Sequence, residues 1–395
     1  MGNEASPGLG LPGNPGPITG AELPGWVTPP AYGEGSLAQV IPRALNVLGV
    51  NLESETPPDE AEAVGVLLVL ADGLGWSNLE QRRGHAPFCW NAPRERLRTG
   101  FPSTTVASLG TFGTGLPPGC TGLAGYSLRD PATRQRATLI KWDTPTVPEQ
   151  WQPHRTWFER LNAAGYPATF IGESRFQNSA LTLSSLRGAQ FRSASKKAAS
   201  KVEIALKAMR ETNGLLYLYW GNLDKVGHAK GWESVAWSAA LEELDHSLQQ
   251  LAAQLPPGWE LWVTSDHGMI DVTGAPQWDV TQEPTLAAQV DLVAGEARAV
   301  HLYTNEPQAV AERWAEFLGA AAWVLTREQA VAQGLFGQVE QRVLPYLGDV
   351  VVAMAGRATV VDTASQGQAP AQMVGQHGSL TAPEMEIPLI RVKAN

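Results

Sequence analysis

Cysteine is almost missing from this chain: 395 residues contain two, Cys89 and Cys120. Two thiols make no disulfide framework, so both read as reduced structural residues and the fold must rest on a hydrophobic core. Long apolar runs are missing as well. Val64 to Ala71 and Val350 to Ala355 are short, well below the roughly 20 residues that span a bilayer, which excludes a membrane-spanning reading. Positive charge is scarce: 29 Lys and Arg stand against 39 Asp and Glu, a net charge of −10. A polymer of phosphates needs clustered cations, so a nucleic-acid polymer is not an expected partner. Nucleotides stay open as substrates, because bound cations can reverse the local field. The opening MGNEASPGLGLPGNPGP has neither a basic n-region nor an apolar h-region, and the expected location is therefore cytoplasmic. Its Met-Gly start is a weak myristoylation signal beside so much Pro and Gly. What the chain does have is 43% apolar residues, enough for a sizeable core and against global disorder.

No internal repeat is visible. Residues 1–60 read as an N-terminal extension, loose over the first 20 residues, with helical apolar spacing in IPRALNVLGV (41–50). Residues 61–395 read as one α/β domain. VGVLLVLA (64–71) has the continuous apolar character of a strand buried on both faces. Helices are expected from Thr105 to about Phe112 and over 156–166, 196–212 and 233–255. Strands are expected at PATFIG (167–172), LLYLYWG (215–221) and WELWVTS (259–265). This alternation predicts a three-layer α/β/α fold with a mainly parallel central sheet. A smaller α+β insert or cap is expected at about 280–365, from RAVHLYT (298–304), a helix near 307–318 and DVVVAMAGRATVVD (349–362). GQHGSLTAPEMEIPLI (375–390) then returns a last strand to the main sheet.

Open α/β sheets collect ligands at the carboxyl ends of their strands. Asp72, Asp224 with His228, and Asp266 with His267 each follow a predicted buried strand, and His377 lies in a Gly-flanked loop. Three carboxylates and three imidazoles from four segments suit one or two divalent cations, zinc the most natural. Asp224 and His228, four apart, share a helix face. Asp266 and His267 need a turn to aim both side chains at one centre, and Gly268 supplies backbone freedom. The bland alternatives are turn formation or capping for the Asp residues and surface packing for the His residues. His85, His154, His246 and His301 lack the strand-end context and read as surface or packing residues. FPSTTVASLGTFGTG places Ser103, Thr104 and Thr105 at a probable helix start. There a hydroxyl beside a cation becomes a nucleophile, and simple N-capping is the competing role.

Taken in order, VLADGLGW, FPSTT with GTGLPP, NLDKVGH, TSDHGM and GQHGS resemble the alkaline phosphatase superfamily, within it the type I phosphodiesterase/nucleotide pyrophosphatase branch. The resemblance spans residues 64 to 390 and leaves the first 60 uncovered. It implies a hydrolase with two divalent metal ions, zinc by preference, and a threonine nucleophile. Asp224, His228 and His377 would hold one metal; Asp72, Asp266 and His267 would hold the other, which Thr105 also reaches. The family's Pro-x-x-Thr followed by Thr-Gly-x-x-Pro puts the nucleophile at Thr105, with Thr104 second. Val106-Ala107-Ser108-Leu109 replaces the family's Phe-Pro-Asn-His. Where the family has an Asn that binds a phosphoryl oxygen, twenty-one residues past Thr105, this chain has Tyr126.

The implied activity is hydrolysis of small-molecule phosphodiesters, pyrophosphates or nucleotides through a phospho-threonine. A phosphomonoesterase or phosphonate hydrolase of the same superfamily is the alternative within enzymology, and an inactive metal-binding protein the alternative outside it. A sulfatase is disfavoured because CWNAPR (89–94) has the wrong spacing, and a cofactor-independent phosphoglycerate mutase because it uses Ser.

Overall fold

The computed structural model describes residues 23–52 and 61–394. The loose tail expected over the first 20 residues lies outside them. Seven strands among the described residues form the central sheet: β1 (Gly65–Ala71), β2 (Arg94–Arg98), β3 (Ala168–Glu173), β4 (Gln190–Ala194), β5 (Gly214–Trp220), β6 (Trp259–Thr264) and β7 (Glu386–Lys393). Their spatial order is β2-β7-β6-β1-β5-β3-β4. The run β6-β1-β5-β3-β4 is parallel throughout, and β7 lies antiparallel between β6 and β2.

The apolar run of β1 has a direct cause. Val66, Leu68 and Leu70 pack into one core, while Leu67, Val69 and Ala71 pack into another on the opposite face. Helix α1 (Thr105–Thr114) feeds Val106, Leu109 and Phe112 into the first core. Helices α2 (Ala198–Glu211) and α4 (Val235–Ala253) feed the second, through residues such as Val202, Leu206, Trp237, Leu241 and Leu248. Between them α3 (Asn222–Lys230) leaves the end of β5. The fold is thus the expected three-layer α/β/α arrangement. α4 starts where Ser234 accepts the N–H of Trp237, the usual device at a helix start.

Strands β2 and β4 had no sequence signal. They are the two edges of the sheet, and RERLR of β2 buries only Leu97. An edge strand can turn charged side chains to water, so the apolar signature is absent. The described part of the N-terminal extension packs on the α1 side: helix Val40–Val47 buries Val40, Ile41 and Ala44, and Ser36 bridges Arg98 of β2.

Beyond residue 290, strands Leu292–Glu296, Ala299–Tyr303, Val350–Met354 and Ala322–Thr326 form an antiparallel sheet in that order. Helix Pro307–Leu318 covers it through Val310, Trp314 and Leu318, giving this segment a core of its own. DVVVAMAGRATVVD supplies two strands, Val350–Met354 of this sheet and Thr359–Val361, which pairs with Gln277–Asp279.

Candidate active site

β5, β1 and β6 are neighbours and parallel, so their carboxyl ends lie side by side. Asp72 follows β1, Asp224 and His228 ride on α3 just after β5, and Asp266 and His267 follow β6. His377 arrives on the loop after Gly375–Gln376, which pairs with Ile270–Asp271 just beyond His267. Topology alone therefore brings the six side chains to one place.

They divide into two groups. In the first, His228 Nε2 is 3.2 Å and His377 Nε2 3.6 Å from Asp224 Oδ1, and the two imidazole nitrogens are 3.2 Å apart. In the second, His267 Nε2 is 3.4 Å from Asp72 Oδ1 and 3.5 Å from Asp266 Oδ2. The ligand atoms within each group all lie within 4.8 Å of one another. The rings of His267 and His377 stack at 3.6 Å and join the groups.

The hydrogen bonds around the cluster aim it. Each imidazole gives its Nδ1–H to a backbone carbonyl: His228 to Gly375 at 2.7 Å, His267 to Gly268 at 3.0 Å, His377 to Ser103 at 2.9 Å. That leaves Nε2 as a lone pair facing inward, the arrangement found behind metal-bound histidines. Tyr219 gives its hydroxyl to Asp72 Oδ2. The N–H groups of Gly73 and His267 bind Asp266 Oδ1. The remaining oxygens, Asp72 Oδ1, Asp224 Oδ1 and Asp266 Oδ2, are buried and have no hydrogen-bond partner among the described residues. Orphaned carboxylate oxygens are costly unless a cation completes them, and this N/O set fits two divalent ions.

The electrostatics agree. Burial, then the charges of Asp266 and Asp224, push the Asp72 carboxyl well above its usual range. Burial works against ionising Asp224, but His228, His377 and His267 outweigh it and hold it below the carboxylate range. Burial opposes the shift at His228 too, yet the Asp224 carboxylate lifts it to about 9. Burial and the neighbouring imidazoles hold His377 well below its ordinary value.

Thr105 opens α1, and its Oγ1 lies 3.2 Å from His267 Nε2. Thr104 occupies the N-cap position but makes no side-chain cap bond. It is buried and its hydroxyl faces Glu296. The two hydroxyls thus point to different neighbours, and Thr105 is the one beside the ligand cluster. Ser103 is structural: its Oγ bridges Ser379 O and Gly378 N. Tyr126 lines a cleft of about 240 Å³ together with Thr104, Arg136, Lys141, Glu296, His228 and His377. A second cleft, about 490 Å³, opens on Thr105 and Asp224 and is walled by Phe170, Phe176, Leu181, Leu186 and Tyr219.

The other histidines stay apart. His85 pairs with Glu242, His154 with Glu340, and His246 with Gln250. His301 is fully buried between Ala124 O and Gly348 N. Three contributors escaped sequence reasoning: Tyr219, Glu296, and the buried Arg298–Glu384 pair, whose Glu384 also holds Ser379 N and Thr381 Oγ1. Glu296 and Arg298 come from the insert, far along the chain, and carry no local pattern. Tyr219 lies inside an apolar strand, where it reads as core.

The sequence profile of the type I phosphodiesterase/nucleotide pyrophosphatase family matches residues 66–380. The chain belongs to this family. Family membership makes it a phosphoester-type hydrolase of the alkaline phosphatase superfamily. Solved structures share the fold at low identity. Murine ectonucleotide pyrophosphatase/phosphodiesterase 5, inactive and in complex with AMP, is 17% identical, with a TM-score of 0.66 over 83% of this chain and 88% of that one. Phosphonoacetate hydrolase from Sinorhizobium meliloti, in complex with phosphonoformate, is 18% identical, with a TM-score of 0.66 over 84% of this chain and 91% of that one. The human ectonucleotide pyrophosphatase/phosphodiesterase 5 gives 0.61 at 17% identity over 83% and 88%. No curated protein matches the sequence.

Proposed function

We propose that this chain hydrolyses small-molecule phosphodiesters or pyrophosphates, nucleotides among them, through a phospho-threonine at Thr105. The observation that carries the reading is the convergence of two ligand groups beside one threonine oxygen. Asp224, His228 and His377 would hold one divalent ion, and Asp72, Asp266, His267 and the Thr105 oxygen the other. Zinc suits the three-nitrogen, mixed-oxygen donor set. When bound, such ions supply a lowered hydroxyl pKa and charge stabilisation at phosphorus.

The rest falls to the chain. Thr105 Oγ1 attacks phosphorus as the bond to the leaving oxygen breaks, and water then cleaves the Oγ1–P bond and restores the hydroxyl. The α1 N-terminus directs its free N–H groups at the phosphoryl oxygens. The aromatic cleft at Thr105 supports an organic arm such as a nucleobase, because flat rings stack well on Phe and Tyr. Tyr126, in the lining of the smaller cleft, would contact substrate there. On this reading residues 61–395 form the catalytic domain and the segment at about 280–365 its cap, supported by the place of Glu296 in the cleft wall. The two free, buried cysteines fit a reducing, cytoplasmic setting. Among the described residues no helix is long and apolar enough to cross a membrane.

A second reading has its own support. Arg136 and Lys141 line the smaller cleft beside His228 and His377, and they suit a compact substrate with a second anion, as phosphonoacetate has.

The test is a substrate panel with two variants. Bis-nitrophenyl phosphate should be turned over faster than the monoester, and phosphonoacetate slowest. Thr105→Ala should abolish turnover with zinc content unchanged. Faster monoester or phosphonoacetate cleavage would replace the diester reading, and a dead Thr104→Ala beside an active Thr105→Ala would move the nucleophile by one residue.

A further inference from the structure

The N-terminal arm lies ahead of the span that the family profile matches, which begins at residue 66, yet it reaches the loop that leads to Thr105. Residues 99–104 join β2 to α1, so their path decides where Thr105 Oγ1 stands. Three backbone N–H groups hold this loop at alternate residues. Thr99 donates to Met385 O at 2.9 Å and Ser103 to Gly378 O at 3.0 Å. Phe101 donates to the Tyr32 hydroxyl at 3.0 Å. Two of the three holds come from the segment between His377 and β7; the third comes from the arm.

Tyr32 is fitted to this place. Its hydroxyl in turn donates to Leu335 O at 2.5 Å, so one oxygen joins the loop to the insert. The ring fills the space on both sides: a Cβ built on Gly100 would sit 2.8 Å from its Cε1, and one on Gly337 3.0 Å from its Cδ2. The rings of Phe101 and Phe336, beside these two hydrogen bonds, have their centres 5.6 Å apart. Burial raises the Tyr32 hydroxyl above its usual range, against the Phe101 N–H, so it keeps its proton and serves as donor and acceptor at once. The arm has further anchors. Thr28 N–H binds Leu380 O at 2.7 Å, three residues past His377, and Arg98 N–H at the end of β2 binds Gly35 O at 3.0 Å.

Phe101 is fully buried. A buried N–H that loses its acceptor is costly, so without the Tyr32 hydroxyl the loop would move to find another. A nucleophile misplaced by about 1 Å loses much of the advantage of being held in line. We propose that the arm at residues 23–36 belongs to the catalytic architecture, with Tyr32 a positioning residue whose hydroxyl fixes the Phe101 peptide and thereby the line along which Thr105 Oγ1 meets phosphorus. Tyr32 itself exchanges no proton with substrate. The inference rests on the reading of Thr105 as nucleophile given above.

Tyr32→Phe removes only the hydroxyl. Leu248→Ala opens the core on the opposite face of the sheet and serves as a control for lost stability. With the metal-loaded proteins well below their melting temperatures, Y32F should lose kcat by about ten- to a hundredfold. Its KM should stay within about twofold, the pattern of an interaction felt only in the transition state, and its zinc content should be unchanged. Affinity for vanadate, which takes up the geometry of in-line attack, should fall with kcat while affinity for inorganic phosphate holds. L248A should lower the melting temperature and keep kcat. Hydrogen exchange at the amides of residues 99–105 should quicken in Y32F and not in L248A. Wild-type kcat in Y32F, a rise in KM alone, or a kcat loss that L248A shares would overturn the proposal. A wild type that turns over no phosphoester overturns the functional reading instead. Exchange then still judges Tyr32, because unchanged amides in Y32F would show that the hydroxyl does not hold the loop.

Discussion

At the scale of single residues, the site is a set of charges held together against their own repulsion. Asp72 is buried, Asp266 is the like charge that weighs on it most, and each keeps one oxygen without a hydrogen-bond partner among the described residues. In the metal-free protein Asp266→Asn should therefore stabilise the fold, by roughly 1–3 kcal/mol, because it removes one member of a repelling buried pair. Urea unfolding in chelator measures this, and the sign should reverse in zinc, where the lost ligand weakens metal binding. A variant less stable than wild type in chelator would contradict the charge picture. These ligand-type residues were legible because each stands at a strand end where a core residue would be out of place. Glu296 and Tyr219 were not: one sits on a distant strand, and the other differs from its apolar neighbours by a single hydroxyl.

At the scale of elements, the loop that brings His377 to the cluster is clamped from the insert. Arg298 just precedes strand Ala299–Tyr303 and is fully buried. It binds Glu384 through Nε at 3.1 Å and Nη2 at 2.7 Å, and it also reaches the carbonyls of Met354, Ala355 and Ala358. Glu384 in turn holds Ser379, two residues from His377. Breaking one half of such a pair strands the other charge, so Arg298→Ala should cost about 3–5 kcal/mol. Arg298→Met combined with Glu384→Leu should cost less than Arg298→Ala alone, because no charge is left unpaired. Thermal melts of the three proteins, read beside zinc affinity, check this; a double variant less stable than Arg298→Ala would mean that the two residues do not act as a pair. The same scale explains the missed strands. β2 and β4 lie at the sheet's edges, where pairing is decided by neighbours far away in the chain and the apolar run is not needed. Strands β1, β5 and β6, covered on both faces, were visible as runs for the opposite reason.

At the scale of the whole molecule, two cores on opposite faces of one sheet fix the frame, and a third core belongs to the insert. The two ligand groups sit where the described polypeptide converges on its strand ends, so ions bound there join β1, β5 and β6 to the loop ahead of β7. Metal binding should accordingly stabilise the folded state as a unit. At zinc a hundredfold above its dissociation constant the gain per site is about 2.7 kcal/mol. Melting temperature should fall on exhaustive chelation and return with zinc, and turnover should follow it. Full turnover after complete metal removal would defeat the two-ion reading.

The amino-acid sequence by itself determined the layered α/β/α class and the identity of the ligand-type residues. Both depend on local facts: buried strands need unbroken apolar runs, and a strand end interrupted by Asp or His is conspicuous against them. The tertiary structure alone decided which side chains face one another. It set the ligand atoms of each group within 4.8 Å of one another, put Thr105 Oγ1 3.2 Å from His267 Nε2, and brought Glu296 to the backbone of Tyr126 across 170 residues. Those pairings depend on strand order and on how the insert docks, and chain spacing encodes neither.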